Sequence, residues 1–243
     1  MTETHPHPVA LITGGGRGIG RAIALALARE GYSISIAART REELEGTRRL
    51  SSLPIERALI VLTDLADEES AEAVVETTLD CFGRIDVLVN NAGWAPPRNS
   101  LVKMRGSDAD RILAVNLRAP IALSRMAALA MVERGSGAII NIASSAARTM
   151  AAGEAVYAAS KAGLIAFTHA AFAELGDRGI KVSVIIPGLV DTTLIPNNKR
   201  LDRELMLAPD DVAAAIINIV KSPARVCPVE VVLQPQRRPE RIK

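Results

Sequence analysis

The sequence predicts an α/β fold, a doubly wound parallel sheet of about seven strands with helices on both faces. Three observations predict it. Short apolar runs rich in Val and Ile alternate with longer Ala- and Leu-rich stretches along the whole chain. The short runs are flanked by apolar residues, as expected of strands covered on both faces. A glycine cluster separates the first run from the first helix.

Taken in order, Val9–Thr13 is the first strand and Arg21–Glu30 the first helix, with Gly31 as its stop. Ser33–Ala37 and Arg41–Leu50 form the next strand and helix. Leu59–Leu62 is a strand, followed by a helix over Asp67–Phe82 that Gly83 ends. Val87–Asn90 is the fourth strand, and Asp108–Arg134 a long helical segment. Ala138–Ala143, Val156–Leu175, Lys181–Ile186, Asp210–Lys221 and Glu230–Leu233 complete the alternation. Right-handed crossovers between parallel strands then give the doubly wound arrangement. No repeat or linker divides the chain, so residues 1–243 read as one domain. The irregular stretch of about Leu189 to Pro209 is a candidate lid, because long loops in compact domains tend to carry function.

A chain of 243 residues with 49% hydrophobic side chains can bury a substantial core. The net charge is +2, which gives no support for a nucleic-acid-binding face. Aromatics make up only 2%, too few for base-stacking platforms. Cys81 and Cys227 lie in no metal-spaced cluster and read as reduced thiols. The N-terminus lacks a signal-peptide pattern, and no apolar run is read as long enough to cross a bilayer. The expectation is a cytoplasmic protein with no membrane partner. His5 and His7 lie in a short tail expected to fray, without the further ligands a metal would need.

After the first strand comes Thr13-Gly14-Gly15-Gly16-Arg17-Gly18-Ile19-Gly20, which opens a helix. Glycines permit positive φ and close approach of the backbone to a ligand. The free N–H groups and dipole of the following helix favour an anion, and a pyrophosphate is the natural guest. At the end of the second strand, Ala38 and Arg39 stand where an NAD site usually offers an acid to the ribose 2′-hydroxyl. Arg39, with help from Arg17, can instead pair with a 2′-phosphate. The alternative is two solvated surface arginines. The missing acid and the base present together favour NADP(H).

The spacing of Gly14, Gly18 and Gly20 resembles the glycine motif of the short-chain dehydrogenase/reductase family. Further motifs carry the same resemblance in order along nearly the whole chain. Asp64-Leu65 matches the family position that contacts the adenine; a turn or N-cap aspartate is the other reading. Asn90-Asn91-Ala92-Gly93 matches the N-N-A-G motif, beside the adenosine ribose, and Asn90 is expected to have a partly structural role. Pro187-Gly188-Leu189-Val190-Asp191-Thr192 matches the segment that meets the nicotinamide carboxamide, through the Val190 main chain and the Thr192 hydroxyl.

Tyr157-Ala158-Ala159-Ser160-Lys161 matches the family's Y-x-x-x-K. Residues one helical turn apart share a face. A free tyrosine ionises near pH 10, and a neighbouring ammonium lowers that value, so Lys161 is expected to tune Tyr157. The resemblance makes Ser144 the residue that holds the substrate oxygen, with Ser145 its adjacent rival, and makes Asn116 the fourth catalytic residue. Pro120 has no N–H to close a helical bond onto the Asn116 carbonyl, which frees that carbonyl at an expected kink. The family implies that this carbonyl holds a water linking Lys161 to solvent, and that Lys161 also binds the ribose hydroxyls. The implied reaction is hydride transfer between NADP(H) and a carbonyl or secondary alcohol of a small molecule. The family also implies a homo-oligomer, a dimer or a homotetramer, and the apolar faces of Ile112–Met131 and Val156–Phe172 are compatible with one.

The substrate is less sharply drawn. Trp94, Arg148 and Met150 either line its pocket or serve packing and surface roles. Lys199, Arg200 and Arg203 are interleaved with Asp202 and Glu204 in the lid. They can meet an acidic carrier protein or form a solvated mixed-charge segment. The chain ends Val231-Val232-Leu233-Gln234-Pro235-Gln236, without the Val-Asp-Gly-Gly turn of one large branch. That ending weakens the 3-oxoacyl-carrier-protein reductase reading. It is similar to the branch of hydroxy-acid and general carbonyl reductases. A coenzyme-binding sensor without turnover is the alternative from another class; a protein that only binds need not keep Asn116, Ser144, Tyr157 and Lys161 together.

Overall fold

The computed structural model describes residues 5–195, 198 and 200–239. Among these, β1 (Val9–Thr13), β2 (Ser33–Ala38), β3 (Ala58–Leu62), β4 (Val87–Asn90), β5 (Gly137–Ile142), β6 (Ile180–Pro187) and β7 (Glu230–Leu233) form one sheet. Its order is β3-β2-β1-β4-β5-β6-β7, with every neighbouring pair parallel. The chain steps outward from β1 to β3, returns to the middle, and steps outward again from β4 to β7. The reversal lies between β1 and β4, and the crevice at their carboxyl ends is where such a sheet receives a ligand.

The helices are α1 (Gly18–Arg29), α2 (Arg41–Ser51), α3 (Ser70–Phe82), α4 (Gly106–Leu113), α5 (Ala119–Arg134), α6 (Ala146–Thr149), α7 (Ala155–Leu175) and α8 (Pro209–Lys221). Side chains along a strand point to alternate faces. Ala10 and Ile12 of β1 therefore join Leu27, Leu44 and Ile216 from α1, α2 and α8 in one core. Leu11, between them, joins Val75, Leu123 and Ala171 from α3, α5 and α7 in the other. Two covered faces explain why the inner strands are buried at nearly every position, polar residues such as Ser35 and Asn141 included. The edges differ: Leu62 of β3 and Val232 of β7 are exposed.

Several boundaries depart from expectation. Helix α1 starts at Gly18, inside the glycine loop, rather than at Arg21, because the Arg21 amide already bonds to the Arg17 carbonyl at 3.2 Å. Helix α3 starts at Ser70 rather than Asp67, since the Asp67 amide closes a turn onto the Asp64 carbonyl. The long segment begins at Gly106 and is not one uniform helix: Ala114–Arg118 is a π-turn between α4 and α5. There the Ala119 amide bonds to the Ala114 carbonyl, five residues back. Pro120 follows in the first turn of α5, where a missing N–H costs little.

Taken as a unit, Gly106–Arg134 spans 29 residues and is apolar enough to cross a membrane by length and composition alone. That corrects the expectation of no such run. Here it is a core helix, with Ile112, Leu123 and Met131 fully buried. From His5 onward the N-terminal segment also differs from a frayed tail. His5 Nε2 lies 2.8 Å from Ser33 Oγ, and its ring packs on Phe82. Among the described residues no three His, Cys, Asp or Glu side chains are grouped to hold a metal. The candidate lid carries a short turn at Arg203–Leu205 and a parallel bridge between Val190 and Leu207. Lys199 lies outside the described residues.

Candidate active site

Three loop ends meet above β1 and β4. Thr13, the last residue of β1, uses its hydroxyl to accept the amides of Asn91 and Ala92 at 3.1 and 3.0 Å. Asn91 returns Nδ2 to the carbonyls of Thr13 (2.9 Å) and Gly14 (3.4 Å). These bonds seat the Asn-Asn-Ala-Gly run beside the glycine loop. Gly14 and Gly18 have φ of +67 and +51, which L side chains rarely adopt. A Cβ on Gly20 would stand 2.5 Å from Asn91 Nδ2, so loop and helix pack only without one. Arg21 clamps the far side of the loop, donating Nε to the Gly16 carbonyl at 3.0 Å, and Thr47 donates to the same oxygen at 3.2 Å.

This cradle fits a dinucleotide. The first turn of α1 holds no acid, and its free N–H groups open onto the glycine loop. Ile19, in that turn, packs partly buried against the core. A Cβ on Gly18 would lie 3.3 Å from Thr192 Cγ2, so the glycine loop faces the segment after β6. In that segment Leu207 bonds to the Leu189 carbonyl and the Asp191 amide, which spends the neighbours' groups and not those of Val190. Gly188 packs so closely on the end of β7 that a Cβ would stand 2.6 Å from Gln234 Oε1.

At the adenosine side the residues are more engaged than expected. Asp64 Oδ1 accepts the Ala66 amide at 3.0 Å, the turn geometry of the alternative reading. Its Oδ2 pairs with Arg111 at 2.6 Å and lies 3.8 Å from Arg39. Leu65 is buried in the core, so its side chain serves packing. Arg17 is exposed and lies 3.4 Å from Glu43.

At the catalytic side, β5 and β6 fix Ser144. The Ala143 amide bonds to the Ile185 carbonyl at 2.8 Å and the Ser145 amide to Pro187 at 2.9 Å. Ser144 is the neighbouring serine that acts on the Tyr157 hydroxyl, working to lower its pKa, and Ser144 Oγ accepts the Ala146 amide at 3.2 Å. Lys161 is 4% exposed and donates Nζ to the Ile142 carbonyl at 2.8 Å. Asn116 is held by both backbone groups of Trp94: Oδ1 accepts its amide at 2.8 Å and Nδ2 donates to its carbonyl at 2.9 Å. Asn116 also reaches Ser160 Oγ at 3.3 Å, and Ser160 donates to the Tyr157 carbonyl at 2.7 Å. A Cβ on Gly93 would face both Asn116 Oδ1 and Lys161 Nζ at 3.6 Å. Asn90 Nδ2 bonds to Asn141 Oδ1 at 2.8 Å, tying β4 to β5, so its role is structural.

The expected tuning of Tyr157 by Lys161 needs correction. Burial pushes the Tyr157 hydroxyl up, and the Glu154 carboxylate adds to this, opposed by the neighbouring Ser144. The Lys161 ammonium is turned to a backbone carbonyl. Burial pushes Lys161 itself down to about 8. Between about 8 and its ordinary 10.5, the unfolded chain holds a proton that the folded chain has released. Stability therefore rises with pH across this window, and the cost of the buried charge is fully present below it. In the absence of coenzyme, wild type is expected to gain stability relative to Lys161→Met as pH climbs through the window. Thermal melts at a series of pH values measure this; a difference independent of pH contradicts it.

The expected pocket residues separate. Trp94 carries the Arg111 guanidinium 5.6 Å from its ring centre. Arg148 is paired with Glu230. Met150 is exposed in a left-handed conformation at φ +48. In the lid, Arg203 is bonded to Asp191 and to the carbonyls of Thr192 and Ile195, so it pins the segment after β6. Thr13, Arg21, Arg111 and Ser160 were not singled out from the sequence. Thr13 alone had a signal there, a hydroxyl at the junction of strand and glycine loop.

The pattern of the short-chain dehydrogenases matches residues 8–203. Levodione reductase of Leifsonia aquatica is 36% identical over 199 residues, 81% of this chain and 74% of that protein. A metagenomic short-chain oxidoreductase solved with NADP superposes with a TM-score of 0.83 at 33% identity, covering 95% of this chain and 98% of that one. A 3-ketoacyl-(acyl-carrier-protein) reductase from Brucella melitensis, complexed with NADH, gives 0.86 at 29%, with 95% and 98% covered. The matched pattern spans most of the chain and both ends of the crevice, and the protein belongs to the short-chain dehydrogenase/reductase family of oxidoreductases.

Proposed function

We propose that this protein is an NADP(H)-dependent oxidoreductase acting on a carbonyl or secondary alcohol of a small molecule. One observation carries the reading: Tyr157 lies under the influence of Ser144, with the buried Lys161 one helical turn beyond it and bonded to the Ile142 carbonyl of β5. Tyr157 and Ser144 are then the donors to the substrate oxygen. Burial keeps Tyr157 protonated at neutral pH, so it can release its proton as charge develops on that oxygen. A bound reduced nicotinamide supplies the hydride. Asn116, gripped by Trp94 and facing Gly93, holds the floor beneath Lys161.

Gly14, Gly16, Gly18, Gly20, Asn91, Ala92, Gly93, Pro187, Gly188, Val190 and Thr192 are the backbone-rich surface for the coenzyme. Selection of NADP(H) rests on Arg39 at the end of β2 and the absence of an acid at Ala38. The relative solved with NADP supports this choice. The levodione reductase relative supports a compact ketone as substrate, ahead of a carrier-bound thioester, and Arg203 is already spent within the lid. Exposed Leu113, Ile121 and Leu129 on α4 and α5 support a homo-oligomer.

Arg39→Ala is expected to lower the NADPH-to-NADH ratio of kcat/KM by about tenfold or more, the worth of a charge-assisted hydrogen bond. Steady-state assays on a panel of ketones, levodione among them, measure it. A wild-type preference for NADH, or a ratio unmoved by the substitution, would sink the NADP(H) assignment.

A further inference from the structure

Two guanidinium groups converge on one carboxylate oxygen beside the proposed 2′-phosphate position. Arg111 Nη2 lies 2.6 Å from Asp64 Oδ2, and Arg39 Nη1 lies 3.8 Å from the same atom. The first distance is a charge-assisted hydrogen bond; the second is beyond hydrogen-bond range. The other Asp64 oxygen is taken by the Ala66 amide. Arg39 is therefore the looser partner, and its side chain is the more exposed, at 53% against 32% for Arg111.

Arg111 is held where it is. Its guanidinium stands over the Trp94 ring, and the Trp94 backbone is gripped on both sides by the Asn116 side chain. Stacking on an aromatic face while bonding an oxygen edge-on suits a planar guanidinium. Burial works to raise the Asp64 pKa, but the Ala66 amide and the Arg111 and Arg39 groups outweigh it and leave the carboxyl below its ordinary value. The carboxylate is thus charged at neutral pH. With two guanidiniums the cluster keeps a surplus positive charge at the end of β2. Without Arg111 that surplus vanishes, and Asp64 is left with Arg39 as its cation.

We propose that Arg111 is a positioning residue for coenzyme selectivity: it occupies the Asp64 carboxylate and so leaves Arg39 free to meet a 2′-phosphate. The proposal rests on the NADP(H) reading above. Arg111 itself does not touch the reacting atoms; it acts through Asp64.

Calorimetric titration of the full-length protein with NADPH and with NADH, without substrate, tests the proposal. Arg111→Met is expected to weaken NADPH binding about fivefold, the size of one partly exposed ion pair, with NADH held within about twofold. Adding Asp64→Asn to Arg111→Met removes the stranded carboxylate and is expected to restore the preference. Equal weakening of both coenzymes by Arg111→Met would assign Arg111 a purely structural role and overturn the proposal. Failure of the double variant to recover would overturn its route through Asp64. If Arg39→Ala abolishes the preference and Arg111→Met does not, the proposal falls and the NADP(H) reading stands. If wild type shows no preference for NADPH, both fall.

Discussion

Tyr157→Phe is expected to lower kcat by about 10²–10⁴-fold, the range contributed by a positioned proton donor. The substitution removes one oxygen and leaves the ring. That oxygen is the group on which Ser144 acts, and Ser144 is fixed because the amides of Ala143 and Ser145 on either side of it are tied to β6. The backbone role of Tyr157, accepting from Ser160, survives in the variant, so α7 is expected to keep its position. Coenzyme affinity is expected to fall far less than kcat. Rates close to wild type on a competent substrate would remove Tyr157 from the acid role.

Gly20→Ala is expected to be the most damaging change at the coenzyme end. Its Cβ would meet Asn91 Nδ2 at 2.5 Å and the Gly14 carbonyl carbon at 2.7 Å. Neither neighbour can yield cheaply. Asn91 is bonded to the Thr13 carbonyl at 2.9 Å, and Gly14 holds the turn at positive φ. Overpacking of this kind costs about 1–3 kcal/mol, and any relief moves the loop that receives the pyrophosphate. Coenzyme affinity is expected to drop about tenfold or more, a change of roughly 1.4 kcal/mol or above. Gly83→Ala is the control. Gly83 also has positive φ, at the end of α3, but a Cβ there meets nothing within 4 Å. That variant is expected to lose about 1–2 kcal/mol of stability with coenzyme binding intact. Thermal melts and coenzyme titrations separate the two; equal coenzyme affinity in both variants would contradict the account of the loop.

Much of the fold was legible because its signals are local. Val9–Thr13, Val87–Asn90 and Glu230–Leu233 were placed to the residue, since short apolar runs broken by Gly, Asn or Pro define strands, buried for the first two and at the sheet edge for the last. The glycine loop was legible because its spacing coincides with a strand on one side and a helix on the other. What escaped depends on the third dimension. The π-turn at Ala114–Arg118 shifts one hydrogen bond and changes no residue type, so no periodicity reveals it. Lys161 and Tyr157 were correctly set on one helix, but the direction of the ammonium depends on where the Ile142 carbonyl of β5 ends up. Arg111 and Asp64 are far apart in the chain and meet only after α4 packs beside the end of β3. Arg148 and Arg203, read as possible substrate or partner contacts, are spent on Glu230 and Asp191, pairings between separate elements.

The most direct test of the central claim follows hydride itself. NADPH carrying deuterium at the reactive carbon of the nicotinamide is incubated with the protein and the ketone panel, and the product alcohols are analysed by mass spectrometry. The account predicts an alcohol with deuterium at its carbinol carbon for wild type, and its near-disappearance for Tyr157→Phe. A protein that binds NADPH yet yields no deuterated alcohol from any carbonyl compound would contradict the account and leave a coenzyme-binding protein without turnover.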